Sequence, residues 1–120
     1  MKIAVDAMGG DFAPEQIVFG AVRAAKKYHC EVVLVGDEPR IREVLRRERG
    51  WEDLGIRIHH ASEVIEMGEH PADAVRVKKD SSIVVATRLV KEGECDAVLS
   101  AGSTGAAVTA AQLILKRIRG

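Results

Sequence analysis

The stretch Lys2-Ile3-Ala4-Val5-Asp6-Ala7-Met8-Gly9-Gly10-Asp11-Phe12-Ala13-Pro14 passes from an apolar segment through paired glycines to a proline. Lys2 to Asp6 reads as a strand. Gly9 and Gly10 allow backbone angles closed to other residues and let a ligand approach the main chain. Pro14 suits the first turn of a helix, whose free N–H groups attract anions. A strand, a glycine loop and a helix in that order begin an α/β fold. Taken alone, the loop is only a weak signal for a phosphate or carboxylate site.

The pattern continues along the chain, short β-branched runs alternating with amphipathic helical segments, as in a parallel sheet with helical connections. The predicted order is βαβαβααβα. The helix from Pro14 to Lys27 has Ile17, Ala21, Ala24, Ala25 and Tyr28 near helical spacing. Glu31 to Val35 is strand two, and Gly36-Asp37-Glu38-Pro39 turns into a charged helix ending near Gly50. Ile56 to His59 is a short third strand. Pro71 opens a further helical region that Ser81-Ser82 interrupts or recaps, with Ile83, Val84, Leu89 and Val90 forming an apolar face up to Gly93. Asp96 to Ser100 is strand four. The last helix, Thr104 to about Arg117, places Ala107, Val108, Ala111, Leu115 and Ile118 along one side, an apolar face that calls for a cover. With no repeat, low-complexity segment or linker, residues 1–120 are expected to form a single α/β unit.

Composition narrows the function. A chain of 120 residues with 47% hydrophobic residues can build one core, near the size at which burial just suffices. Its 18 basic and 18 acidic residues cancel, so no overall field draws nucleic acid. Cys30 and Cys95 match neither a CxxC nor a zinc spacing, and two free thiols in a reducing cytoplasm are expected. The N-terminus enters strand directly, and no apolar segment reaches membrane-spanning length, so a soluble protein is expected.

A second loop, Ser100-Ala101-Gly102-Ser103-Thr104-Gly105-Ala106, again joins a strand end to a helix start. Its glycines admit close backbone approach, Ser103 and Thr104 add hydroxyls, and the helix start supplies partial positive charge, all of which suits phosphate. The structural alternative is that Ser103 or Thr104 caps the helix and Gly105 packs tightly against the strand. The Gly-Lys-Ser/Thr ending of a nucleotide loop, the GxGxxG dinucleotide fingerprint and the GxSxG nucleophile elbow are missing, Val98 standing where the elbow needs glycine.

In the third constellation, Glu69-His70-Pro71-Ala72-Asp73-Ala74-Val75-Arg76-Val77-Lys78-Lys79-Asp80-Ser81-Ser82, basic residues precede two hydroxyls. On one helix Arg76 and Lys79 would share a face and jointly neutralise a phosphate, Ser81 and Ser82 adding hydrogen bonds. The alternative is a solvated charged face with a serine recap. His59 and His60 point to opposite faces of a strand and cannot easily share a metal, so no metal site is expected. His29 sits at a helix end and His70 before Pro71. Asp6 and Asp11 suit capping of amides or holding a basic side chain better than Mg²⁺ coordination.

Asp6 to Asp11 with Ala13-Pro14, Val35-Gly36-Asp37, Glu66-Met67-x-Glu69-x-Pro71-x-x-Ala74-x-Arg76 with Lys78, Lys79, Ser81 and Ser82, and Ser100-Ala101-Gly102-x-Thr104-Gly105-Ala106 carry a resemblance. Together they resemble the acyl-carrier-protein phosphate acyltransferases of bacterial phospholipid synthesis (the PlsX family). The likeness covers essentially every residue, yet members are considerably longer, so the chain resembles their N-terminal part. Ser103 stands where many members have asparagine.

The resemblance implies a three-layer αβα sandwich with a mainly parallel sheet, as in phosphotransacetylases and isocitrate dehydrogenase-like folds. It implies transfer of a fatty acyl group from acyl carrier protein to inorganic phosphate, the acyl phosphate then serving a membrane acyltransferase in phospholipid synthesis. No cofactor is implied. Phosphate is itself a nucleophile, so no catalytic triad is needed, and the task is positioning and stabilising an oxyanion. On this reading Lys79, Ser103 and Asp6 are the catalytic candidates. Gly9, Gly10, Asp11, Arg76, Ser81, Ser82, Gly102, Thr104 and Gly105 bind phosphate, the amides of Gly9-Gly10 and of Gly102 to Gly105 acting as donors. A cytoplasmic homodimer, peripheral to the membrane, is also implied. Arg40, Arg42, Arg46, Arg47 and Arg49 form the densest basic cluster for an acidic carrier, a solvated helix face being the alternative. Two other functions stay open: a non-catalytic phosphate- or carrier-binding fragment, and a phosphotransacetylase-like enzyme using coenzyme A thioesters.

Overall fold

In a computed structural model, which describes residues 1–115, the elements follow as β1 (Lys2–Asp6), α1 (Glu15–Tyr28), β2 (Glu31–Gly36), α2 (Glu38–Leu45), β3 (Ile56–His60), α3 (Pro71–Val77), α4 (Ser82–Lys91), β4 (Ala97–Ser100) and α5 (Thr104–Ala110). A 3₁₀ turn, Trp51–Asp53, precedes β3, and a π-helical turn, Ala111–Leu115, follows α5. The end of the last expected helix, at Arg117 with Ile118, lies outside the described residues.

The four strands are all parallel and ordered β3-β2-β1-β4. Parallel neighbours require crossovers, which the helices supply. Alternation along β1 divides its side chains between the two faces of the sheet. Val5, with Val32 and Leu34 of β2, packs under α1 and α2, against Val18, Val22, Ile41 and Leu45. Ala4, with Val33 and Val35, packs under α4, against Val85, Ala86 and Leu89. Three layers result, as expected. α3 and α5 stack beside α4 through Ala74, Val75, Ile83, Val84, Ala106 and Ala110. Leu34 and Val35 are fully buried in the central strand, worth about 1.5–3 kcal/mol each.

Several local expectations are corrected. The buried stripe of α1 is Val18, Ala21, Val22 and Ala25, and Tyr28 is exposed. Ala21 and Ala25 are common to the expected and the buried stripe, Val18 and Val22 replace Ala24 and Tyr28, and Ile17 is partly buried against the same core. α5 likewise buries Ala106 and Ala110, while Val108 faces solvent. α2 stops at Leu45, where Arg47 and Glu48 donate to carbonyls three residues back and tighten the chain into a turn.

Candidate functional site

The chain moves outward from β1 to β2 to β3 and then returns to place β4 on the other side of β1. α1, after β1, covers one face of the sheet, and α5, after β4, lies beside α4 on the other, so the two connections leave to opposite sides. The crevice beyond the carboxyl ends of two such strands is where open α/β sheets bind ligands. Both glycine loops lie there, one after β1 and one after β4.

The loops touch through their glycines. A Cβ on Gly9 would lie 2.7 Å from the Gly102 nitrogen, and one on Gly102 would lie 2.9 Å from the Gly9 Cα. Side chains at either position would force the loops apart. Gly10 has φ +99°, which favours glycine, and its Cβ would meet the Ala101 oxygen at 3.2 Å. Gly10, Asp11 and Ala101 are exposed, whereas Gly9 is buried.

Asp6 ties this contact together. Pairing of β1 with β4 sets Asp6 beside Ser100. The buried Asp6 carboxylate accepts from the Met8 amide at 3.1 Å through Oδ1 and from the Ser100 hydroxyl at 3.0 Å through Oδ2. Ser100 Oγ in turn accepts from the Gly102 amide at 3.1 Å. Asp6 thus links the two loops, accepting from the Met8 amide in one and from Ser100 at the start of the other. The Gly102 amide, expected to be a ligand donor, is instead engaged with Ser100. Ser100 was not singled out from the sequence; the signal was its register opposite a buried strand-end aspartate.

Ser103 caps α5, accepting from the Ala106 amide at 3.2 Å. Its oxygen serves the helix while its hydrogen stays available to donate. Gly105 packs against α3 rather than a strand: a Cβ there would lie 2.6 Å from Pro71 Cγ. The second loop therefore abuts the start of α3. The backbone of Thr104 begins α5.

The third constellation separates. α3 ends at Val77, so Arg76 and Lys79 do not share a helix face; Lys78 closes the helix with a non-helical ψ of 69° and Lys79 follows in a turn. Both Arg76 and Lys79 are exposed. Arg76 sits on the last turn, roughly 8 Å along the axis from Pro71 at 1.5 Å per residue. Ser81 is fully buried and caps α4, accepting from the Val84 amide at 3.4 Å, and Ser82 is buried with its amide donating to the Glu63 carbonyl at 3.0 Å. Both serines are placed as parts of the helix start, away from solvent.

The neighbouring polar groups brace the loop at residues 61–69. Lys78 Nζ donates to Glu69 Oε2 at 2.7 Å and to the Val64 carbonyl at 2.8 Å. This hydrogen bond, with one from the Glu66 amide, holds the Glu69 carboxyl below its ordinary pKa. Asp80 accepts from the hydroxyl and amide of Ser62, which lower its pKa in the same way. His60 Nδ1 accepts from the Glu38 amide at 3.1 Å, capping α2 from a different strand. In the arginine cluster, Arg42 pairs with Glu38 at 2.7 Å and Arg46 pairs with Glu43. Arg40 and Arg47 flank a shallow groove with Pro14 and Pro39.

A family model described as "Fatty acid synthesis protein" matches residues 1–120. A protein of Desulfitobacterium hafniense (strain DSM 10664 / DCB-2) named "Phosphate acyltransferase" is 61% identical over 120 residues, covering 100% of this chain and 35% of the relative. The chain belongs to the phosphate acyltransferase family. A phosphate acyltransferase of Pelotomaculum thermopropionicum is 59% identical over 122 residues, covering 100% of this chain and 34% of its own. One of Geobacter sulfurreducens is 52% identical over 120 residues, covering 100% and 34%. The chain spans about 35% of the length of the phosphate acyltransferases it matches. Among its described residues no helix is long and apolar enough to cross a membrane.

Proposed function

We propose that the protein to which this segment belongs transfers a fatty acyl group from acyl carrier protein to inorganic phosphate, giving an acyl phosphate for phospholipid synthesis, and that residues 1–120 are the N-terminal part of its catalytic domain. The observation that supports this reading most is the contact of the two glycine loops, Gly9 against Gly102, at the switch point between β1 and β4. Such a place offers backbone donors to an anion.

A phosphate oxygen attacks the thioester carbonyl carbon, and the carbonyl electrons collect on oxygen. Collapse of that tetrahedral intermediate reforms the carbonyl and breaks the carbon–sulfur bond. The departing phosphopantetheine thiol resembles cysteine, with a pKa of about 8.5, so it leaves without a strong acid and takes a proton from solvent. The chain's part is to hold phosphate and stabilise the oxyanion with fixed donors. The Gly9-Gly10 backbone and the Ser103 hydroxyl supply donors, Asp6 sets the loops, and exposed Arg76 and Lys79 are the candidates for balancing charge. The same reading carries a cytoplasmic homodimer, peripheral to the membrane, that hands its product to a membrane acyltransferase.

The test uses full-length protein with long-chain acyl carrier protein, following thiol release with and without phosphate and trapping acyl phosphate with hydroxylamine. Phosphate-dependent release with a trapped acyl product supports the transferase. Release indifferent to phosphate, or none, overturns it.

A further inference from the structure

We propose that Ser100 is a positioning residue for the phosphate site, acting through the Gly102 peptide; the inference rests on the transferase reading above. Its hydroxyl is used in two directions at once, donating to Asp6 Oδ2 at 3.0 Å and accepting from the Gly102 amide at 3.1 Å. A serine at a strand end can satisfy itself with water. Here it joins a buried carboxylate to a backbone amide two residues on, inside the loop that turns into α5.

The same carboxylate holds the other loop. Asp6 Oδ1 accepts from the Met8 amide at 3.1 Å, immediately before Gly9. One acidic side chain therefore fixes the first loop directly and the second only through Ser100. Hydrogen bonds to an ionised acceptor are about twice as strong as neutral ones, and the amide–hydroxyl–carboxylate chain passes that strength to Gly102. With Gly9 and Gly102 already in backbone contact, rotation of the Gly102 peptide shifts the path of residues 103–105, where the proposed donors lie.

Three consequences distinguish positioning from mere support. Removing the hydroxyl loosens the second loop while the sheet pairing of β4, made by backbone groups, persists. Phosphate binding weakens more than thioester binding. The effect also requires Asp6, so loss of either partner removes much the same interaction and the two substitutions are not additive.

The experiment uses the full-length protein and inorganic phosphate. Ser100→Ala is expected to raise the KM for phosphate about tenfold with the KM for acyl carrier protein changed less than twofold. Hydrogen exchange in a peptide covering residues 99–106 should accelerate, and Asp6→Asn combined with Ser100→Ala should lose little beyond the worse single variant. If Ser100→Ala does not fold, Ser100→Thr and Ser100→Val, near-isosteres with and without the hydroxyl, replace it; only the threonine variant should retain the wild-type phosphate KM. Unchanged phosphate KM in Ser100→Ala, equal loss in the threonine and valine variants, or additive effects with Asp6→Asn would overturn the positioning role. Wild-type protein without phosphate-dependent thiol release would instead overturn the transferase reading itself, so the two failures are distinguishable.

Discussion

Replacing Gly9 with alanine tests the loop contact most directly. The new Cβ would lie 2.7 Å from the Gly102 nitrogen and 3.0 Å from both the Gly102 Cα and Asp6 Oδ2. Two of these three neighbours are backbone atoms and the third is a buried carboxylate engaged in hydrogen bonds, so none can swing aside. Ordinary contact begins at 3.4 Å, so the loops must part by about 0.7 Å. Overpacking of this kind costs about 1–3 kcal/mol. The displacement also stretches the bonds from Ser100 to Asp6 and from Gly102 to Ser100, each worth about 0.5–1.5 kcal/mol net. A total loss near 3 kcal/mol is expected on chemical denaturation of the full-length protein. Activity should fall further than stability explains, because errors of about 1 Å at a positioned site can cost 100-fold in rate. Urea titration and phosphate-dependent thiol release under folding conditions provide the readouts. Wild-type stability together with wild-type phosphate KM in Gly9→Ala would refute the argument that the two loops form one site.

A control lies in the same chain: Gly20 is exposed on α1 and its Cβ would meet nothing within 4 Å. Gly20→Ala should therefore stabilise by about 0.5–1 kcal/mol through helix propensity and leave activity unchanged, as urea titration and the transfer assay will show. The brace at residues 61–69 predicts an acid-sensitive loop. Glu69 and Asp80 have folded-state pKa values depressed below their ordinary 4.5 and 3.8. Their contribution is therefore full above those values and lost as pH falls through the lower folded values. Hydrogen exchange of residues 61–69 should quicken as pH falls below those ordinary values, after correction for intrinsic exchange, and E69Q/D80N should remove that step. An unchanged step in the double variant would place its origin elsewhere.

The sheet was legible because β-branched runs and helix signals alternate without contradiction, and each strand predicted near Lys2, Glu31, Ile56 and Asp96 is present within one residue at either end. The loops after β1 and β4 were legible as loops because glycine pairs follow apolar runs. Their meeting was not legible: it depends on β4 pairing with β1, a register between residues 94 apart. Helix faces failed where alanines dilute the pattern, as in α1 and α5, since alanine tolerates either side. The third constellation failed for a different reason. Spacing alone places Arg76 and Lys79 on one face, but Lys78 leaves the helix to reach Glu69 and Val64, a tertiary contact that local pattern does not encode. His60 capping α2 is of the same kind, an acceptor delivered by a strand 22 residues away.

At Ser81 the local sequence pattern and the tertiary contacts disagree. Sequence and family resemblance place it among phosphate ligands, whereas its fully buried side chain accepts from the Val84 amide at the start of α4. The two roles make opposite predictions for Ser81→Ala in the full-length protein. Loss of a cap costs about 1 kcal/mol, within a range of 0.5–2, and leaves the site's donors in place, so denaturation shifts while the phosphate KM holds. Loss of a ligand does the reverse, because a group that touches only bound phosphate contributes nothing to the unliganded fold. Ser81→Asp sharpens the contrast. Aspartate is as good an N-cap as serine and its charge suits a helix start, although the full burial of this position costs desolvation. Beside a phosphate it repels. Because that burial cost muddies stability but not ligand affinity, the phosphate KM is the reading that counts. A capping serine predicts a KM within about twofold of wild type in both variants. A KM raised tenfold or more in Ser81→Ala, with an unchanged unfolding midpoint, would restore Ser81 to the site and require the start of α4 to open when phosphate binds.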